Sequence, residues 1–234
     1  MTIFDLKKMI PPFRSKKNQK DLIVTIHGFG TRTSSEMDPL KKYLTSRGYE
    51  VISFDIYDFH NLRDTDYREW IRRCEDVMRE ACASDRPVTL IGFSMGGVIA
   101  SYLATVFPIR QLILCAPAFN PVDFSKIQKI GRNLLTSSGT PASDLSSDQT
   151  HAFLNIVSKY KDSIAHVEVP VLIIHGTEDE VIQPKSSKKA YDMIPSSKKR
   201  LIWLEGARHR FLYDQQMEPT AFSLIEAMLN DRIF

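Results

Sequence analysis

Six short stretches of this chain are almost uninterrupted in their hydrophobicity: Leu22–Ile26, Val51–Ile56, Val88–Ile91, Gln111–Cys115, Val171–Ile174 and Leu201–Leu204. A strand with one wet face alternates apolar and polar residues, whereas a strand covered on both faces does not. The six runs therefore predict strands enclosed between two layers of helix. Helical patterns lie between them. Thr33-Ser-Ser-Glu36 has the form of a capping box, and Arg47-Gly48 that of a helix stop. Asp66-Tyr-Arg-Glu69 opens a second helix carrying Trp70, Ile71, Val77 and Met78. Pro184 suits the first turn of another, running to about Ile194, and a last helix covers about Pro219–Leu229. Alternation of this kind predicts an α/β fold built on a mainly parallel, doubly wound sheet.

The interval from Phe119 to Val169 breaks the rhythm, being about twice as long as a single crossover needs. Within it, Phe124, Ile127, Ile130 and Leu134 share one helical face, and Phe153, Ile156, Val157 and Tyr160 another. The joining piece, Ser137–Ser147, is rich in turn residues. The expected organisation is one domain over 1–234 with a small helical cap inserted at 120–168.

One pentapeptide carries chemistry. Gly92-Phe-Ser-Met-Gly96 follows an apolar strand pattern and precedes the apolar helix pattern Gly97–Ala104. A serine at a sharp strand-to-helix turn has its hydroxyl lifted clear of the strand ends, and small residues on either side let the backbone bend so tightly. The N–H of Met95, at the helix start, is placed to stabilise an oxyanion. A turn serine that merely caps the helix is the plainer alternative.

Composition narrows the classes without choosing among them. The 234 residues are 43% hydrophobic and 25% charged, with a formal net charge of +3. The basic clusters Arg14–Lys20 and Lys185–Arg200 are interrupted by Ser, Asn, Gln and Pro, so they read as solvated faces and no nucleic-acid partner is expected. No apolar run approaches membrane-spanning length, and Met1–Lys8 is broken by charge before a signal-peptide core can form. Cys74, Cys82 and Cys115 form no pattern of disulfides or metal ligands, which gives a reduced, cytoplasmic setting as the expectation. His60, His151 and His166 also lack the spacing of metal ligands, and no phosphate or dinucleotide loop is present. No metal or organic cofactor is expected.

Four motifs together resemble the α/β-hydrolase family, from about Leu22 to Leu229. Leu22-Ile-Val-Thr-Ile-His-Gly-Phe-Gly30 is similar to its first long strand and oxyanion loop, and Gly92–Gly96 to its nucleophile elbow. His175-Gly-Thr-Glu-Asp-Glu-Val-Ile182 resembles the loop of the triad acid, and Glu205-Gly-Ala-Arg-His209 the loop of the triad histidine. They occur in the family's order, Ser before Asp before His. The likeness is greatest to small bacterial carboxylesterases and monoacylglycerol-lipase-like hydrolases. Two departures stand out. Residues 1–21 are too short and polar for the family's additional first strands, so a six-stranded sheet is expected. Gln183 also intervenes before Pro184 in the acid loop.

The resemblance implies roles. Ser94 is the nucleophile, and His209 the base it needs, since a serine hydroxyl is too weakly acidic to attack unaided. Glu178, Asp179 and Glu180 compete as the acid, and Asp179 matches the family spacing from Gly176. The N–H groups of Phe29 and Met95 form the oxyanion hole. Phe29, Phe124, Ile127, Leu134 and Val181 are candidates for the acyl pocket, with core packing the equal alternative for the cap residues and for Phe29. His27 is expected to hold the oxyanion loop, and His175 to pack. The implied activity is hydrolysis of a small-molecule carboxylic ester, of short to medium or aromatic acyl group, by a monomer or homodimer. Thioester, amide or carbon–carbon hydrolysis with the same residues, or non-catalytic ligand binding on the same fold, are the rivals.

Overall fold

The structure is a computed structural model that describes residues 20–120 and 146–234. The strands are β1 (Leu22–Ile26), β2 (Glu50–Ser53), β3 (Val88–Phe93), β4 (Gln111–Cys115), β5 (Val171–Gly176) and β6 (Lys199–Leu204). They form one sheet in the order β2-β1-β3-β4-β5-β6, with every neighbouring pair parallel. The helices are α1 (Asp38–Ser46), α2 (Tyr67–Ala83), α3 (Met95–Val106), α4 (Ser147–Tyr160), α5 (Lys185–Met193) and α6 (Glu218–Leu229).

The unbroken apolar runs have the cause inferred from the sequence. Successive residues of a strand point to opposite faces, and each face of this sheet has its own core. Val24, Leu90, Leu112 and Ile173 pack with Trp70 and Met78 of α2, Ile99 and Leu103 of α3, and Phe153 and Ile156 of α4. Their neighbours Ile23, Ile91, Ile113 and Leu172 pack on the other side with Leu40 and Leu44 of α1 and Phe222, Ile225 and Met228 of α6. Helix α3 is apolar on nearly its whole circumference because it is buried on nearly its whole circumference.

Local signals act much as their chemistry dictates. The Asp66 carboxylate accepts from the Arg68 N–H and caps α2, and Ser146 and Gln149 close a reciprocal capping box on α4. Thr33–Glu36 is a correction. These residues begin a 3-10 turn, Thr33–Met37, without a side-chain cap, because the Glu36 carboxylate is committed to the Gly28 N–H, 2.9 Å away.

Residues 121–145 lie outside the described region, and with them Phe124, Ile127, Ile130 and Leu134 of the expected cap. Helix α4, within the described part of that insertion, packs with Ala152, Phe153, Ile156 and Val157 in the main core.

The sheet order dictates where a ligand can sit. From β1 the chain turns outward to β2, then crosses back to β3 on the other side of β1. A crevice opens at such a reversal, beyond the carboxyl ends of the two strands. The loop after β1 carries Gly28–Gly30, and the residue after β3 is Ser94.

Candidate active site

Ser94 occupies the single residue between β3 and α3, with φ 53° and ψ −116°. A side-chain-bearing residue pays a steric cost of about 1–3 kcal/mol in such a conformation. The surroundings hold it there: its N–H donates to the Cys115 carbonyl at 2.9 Å, and its carbonyl accepts from Gly97 at 3.0 Å and Ala118 at 3.1 Å. Close approach explains the flanking glycines. A Cβ at Gly96 would collide with the Ile26 and His27 carbonyls, and one at Gly92 with the Gly96 carbonyl.

The three side chains proposed from distant parts of the sequence meet at the carboxyl rim of the sheet. His209 Nε2 lies 3.1 Å from Ser94 Oγ. On its other side Nδ1 lies 2.8 Å from Asp179 Oδ2. The remaining carboxylate oxygen, Oδ1, accepts from the N–H groups of Val181 and Ile182, each at 2.8 Å. All three residues are buried, and the Phe93 ring lies 5.0 Å from the imidazole centroid to centroid. An aspartate bound at Nδ1 leaves Nε2 free to accept a proton from the serine, the arrangement a general base requires.

Burial separates the three competing carboxylates. Glu178 and Glu180 are exposed and Asp179 is buried. Burial pushes the Asp179 carboxyl up, but hydrogen bonding from the His175 and His209 rings outweighs it, and the group sits well below the ordinary carboxylate range. Glu180 instead accepts from the His209 backbone N–H at 3.3 Å and faces Arg208 at 3.4 Å. The acid and histidine loops are tied together by Thr177 N–H to Leu204 C=O at 3.0 Å and Glu178 N–H to Ala207 C=O at 3.0 Å.

The loop after β1, expected from the sequence to be the oxyanion loop, is fastened on both sides of Phe29. Gly28 donates to Glu36, and its carbonyl faces His27 Nδ1 at 2.6 Å. The Ile56 N–H donates to His27 Nε2 at 2.9 Å. That nitrogen is therefore the acceptor, and Nδ1 carries the ring proton. Burial pushes the His27 pKa down to about 4, so the ring stays neutral near pH 7. Gly30 is gripped at both its N–H and its carbonyl by the Tyr57 hydroxyl, each at 2.7 Å. Between these anchors the Phe29 N–H has no hydrogen-bond partner among the described residues. Met95 opens α3, where N–H groups have no intrahelical acceptors.

The Phe29 side chain stacks on Phe153 at 5.0 Å, with Tyr57 and Trp70 completing an aromatic cluster. Val181 is partly buried against the same core.

Two residues at this site escape a sequence reading. Glu36 has the spacing of a helix cap but joins the loop after β1 to the segment after His209, where Tyr213 donates to it at 3.1 Å. Burial raises its pKa despite both hydrogen bonds. His175, expected only to pack, approaches Asp179 from the far side, with Nε2 3.0 Å from Oδ2. Among the described residues no group of three metal-ligating side chains converges, and no helix is long and apolar enough to cross a membrane.

Several known proteins resemble this chain. Lysophosphatidylserine lipase ABHD12 of Danio rerio is 24% identical over 239 residues, covering 90% of this chain and 59% of the relative. Protein ABHD12B of Homo sapiens is 26% identical over 209 residues, 82% of this chain and 56% of the relative. The chain thus spans little more than half the length of these two. The thermostable monoacylglycerol lipase of Bacillus sp. (strain H-257) is 23% identical over 225 residues, with 83% and 86% covered. Among solved structures, a soluble variant of monoglyceride lipase from Saccharomyces cerevisiae superposes with a TM-score of 0.71 at 23% identity, covering 94% of this chain and 90% of that one. A structure described with LipS and LipT, two metagenome-derived lipolytic enzymes, gives 0.74 at 18% identity, covering 91% of this chain and 96% of that one. The model of the serine aminopeptidase (S33) family matches residues 17–141 and 140–216. The chain is an α/β-hydrolase and belongs to that family.

Proposed function

We propose that this protein is a serine hydrolase of carboxylic esters. The single observation behind the proposal is the unbroken contact series from Ser94 Oγ through His209 to Asp179, at 3.1 and 2.8 Å.

In this mechanism Ser94 Oγ attacks the ester carbonyl while His209 Nε2 takes its proton. Asp179 holds the imidazole in the Nδ1–H tautomer and stabilises the imidazolium that forms. Negative charge developing on the carbonyl oxygen is received by the N–H groups of Phe29 and Met95, held in place before the reaction begins. The protonated His209 then donates to the departing alcohol, leaving an acyl-Ser94 ester. Water adds to the acyl carbonyl as His209 takes its proton; His209 then returns that proton to the departing Ser94 Oγ, and the acid is released.

Esters are favoured over other acyl compounds because the curated relatives of comparable coverage include a monoacylglycerol lipase and a lysophosphatidylserine lipase by name. The test is hydrolysis of an activated short-chain ester together with labelling by a phosphonate serine probe. Wild-type protein is expected to do both, and Ser94→Ala to lose at least about a thousandfold in turnover and all labelling. A Ser94→Ala protein that still turns over ester would end the proposal. Esters and thioesters of graded acyl length, run in parallel, define the preferred bond and chain.

A further inference from the structure

His175 is the penultimate residue of β5, four residues before Asp179, and its side chain is wholly buried. Its ring makes three contacts. Nε2 lies 3.0 Å from the Ile182 carbonyl and 3.0 Å from Asp179 Oδ2, and Nδ1 lies 2.6 Å from the Ser187 hydroxyl on α5. Two oxygen acceptors in front of Nε2 require that this nitrogen carry a proton, since a lone pair there would be repelled by both. The Ser187 hydroxyl, itself buried, then donates to Nδ1 and fixes the tautomer.

The consequences reach Asp179 by two routes. Ile182 supplies one of the two N–H groups that bind Asp179 Oδ1, and its own carbonyl is the one bound by His175. The ring therefore pins the turn that aims the carboxylate. The same N–H also places a positive dipole beside Oδ2, the oxygen that receives His209 Nδ1. Supporting groups of this kind decide how firmly a reactive residue is held.

We propose that His175 is a positioning residue for the acid of the relay, acting on it through the 179–182 turn and by sharing Oδ2 with His209, with Ser187 setting its tautomer. The proposal rests on the assignment of Ser94, His209 and Asp179 made above. His175 does not touch the substrate, so its effect belongs in kcat and in the acid limb of the pH profile. With the dipole removed, Oδ2 becomes a stronger acceptor and stabilises the His209 imidazolium more, moving the acid limb to higher pH.

The experiment compares wild type with His175→Phe, His175→Gln and His175→Asn, using an activated short-chain ester and the phosphonate probe. Gln places its amide nitrogen where the imidazole carries Nε2 and so restores the donor. His175→Phe is expected to lower kcat about tenfold at unchanged KM and raise the acid limb by about half a pH unit. His175→Gln is expected to recover most of both. Among the described residues, the other titratable and charged groups around His209 and Asp179 include Arg32, Glu36, Glu178, Glu180, Arg208, Arg210 and Tyr213. They are present in every variant, so the shift reads His175. A fall in kcat with an unmoved limb, or no recovery with Gln, would reduce His175 to packing and overturn the proposal. Should His175→Phe fail to fold, His175→Asn, whose amide reaches only where Nδ1 lies and so lacks the donor to Oδ2, carries the decision: a raised limb supports the role, and an unmoved one overturns it. Absence of any turnover or labelling in the wild type would instead strike at the ester-hydrolase reading.

Discussion

Two buried aspartates stand at opposite ends of the sheet, and they are compensated by opposite means. Asp21, just before β1, accepts from Thr89 at 2.6 Å and from Arg110 at 2.9 Å through both oxygens. A permanent cation thus faces it. Asp179, at the carboxyl rim, is met by backbone N–H groups and by imidazoles. Four dipolar contacts satisfy a carboxylate's lone pairs as fully as a guanidinium does, yet they leave its charge largely unneutralised. At the amino end the charge is used up in holding β1, β3 and β4 together. At the carboxyl end, on the proposed mechanism, it remains available to an imidazolium that exists only during reaction. Polar burial by itself therefore does not mark a catalytic group; the nature of the compensating partner does.

The sharpest test of this contrast is Asp179→Asn. It keeps size and much of the hydrogen bonding but removes the charge and favours the wrong His209 tautomer. Ester turnover is expected to fall by about ten-thousandfold, with a far smaller proportional loss of thermal stability because the carboxylate's charge also favours the fold, as measured by initial rates and calorimetry on one preparation. Arg110→Met should behave oppositely. It strands Asp21 without its cation, and chemical denaturation is expected to show a loss of about 3 kcal/mol with kcat near wild type. Were the two variants to lose activity and stability in equal proportion, the division of labour would collapse.

A third, smaller effect concerns acid. His27 is neutral in the fold, with its pKa near 4, but titrates near 6.5 when unfolded. Between those values the unfolded chain binds the additional proton, so stability declines as pH falls from about 6.5 to 4, by up to about 3 kcal/mol. Asp179 acts at lower pH and in the same direction. Its depressed pKa stabilises the fold above the ordinary carboxylate range, and that contribution is lost as pH falls through the depressed value. His27→Gln, which can still accept from Ile56, is expected to flatten the upper of these two windows. Denaturation midpoints at pH 7, 5.5 and 4.5, read as approximate stations along that window, provide the measurement.

Legibility in the sequence followed the range of each interaction. The runs Leu22–Ile26 and Gln111–Cys115 match strands residue for residue, because burial on both faces writes itself into contiguous side chains. Strand β2 stops at Ser53 rather than Ile56, and β6 begins at Lys199 rather than Leu201. Both are edge strands, where one missing neighbour weakens the link between hydrophobicity and pairing. Ser94 was visible since its turn demands small residues on either side. Asp179 could be ranked above Glu178 and Glu180 only through resemblance, as exposure depends on the whole acid loop. The contacts of Glu36 and His175 were invisible in the sequence. Glu36 pairs with the Tyr213 hydroxyl 177 residues away, and nothing local distinguishes that commitment from a cap. His175 in turn looks like any polar residue near the end of a parallel strand.

The φ of 53° at Ser94 has one more implication, and it concerns inheritance. Glycine would rest in that conformation without steric penalty, so the substitution that relaxes the elbow is the same one that deletes its hydroxyl. Heat tolerance and reactivity compete for a single position. A lineage selected only for robustness would drift toward an inert homologue at this residue, and the serine endures only while something rewards what its oxygen does.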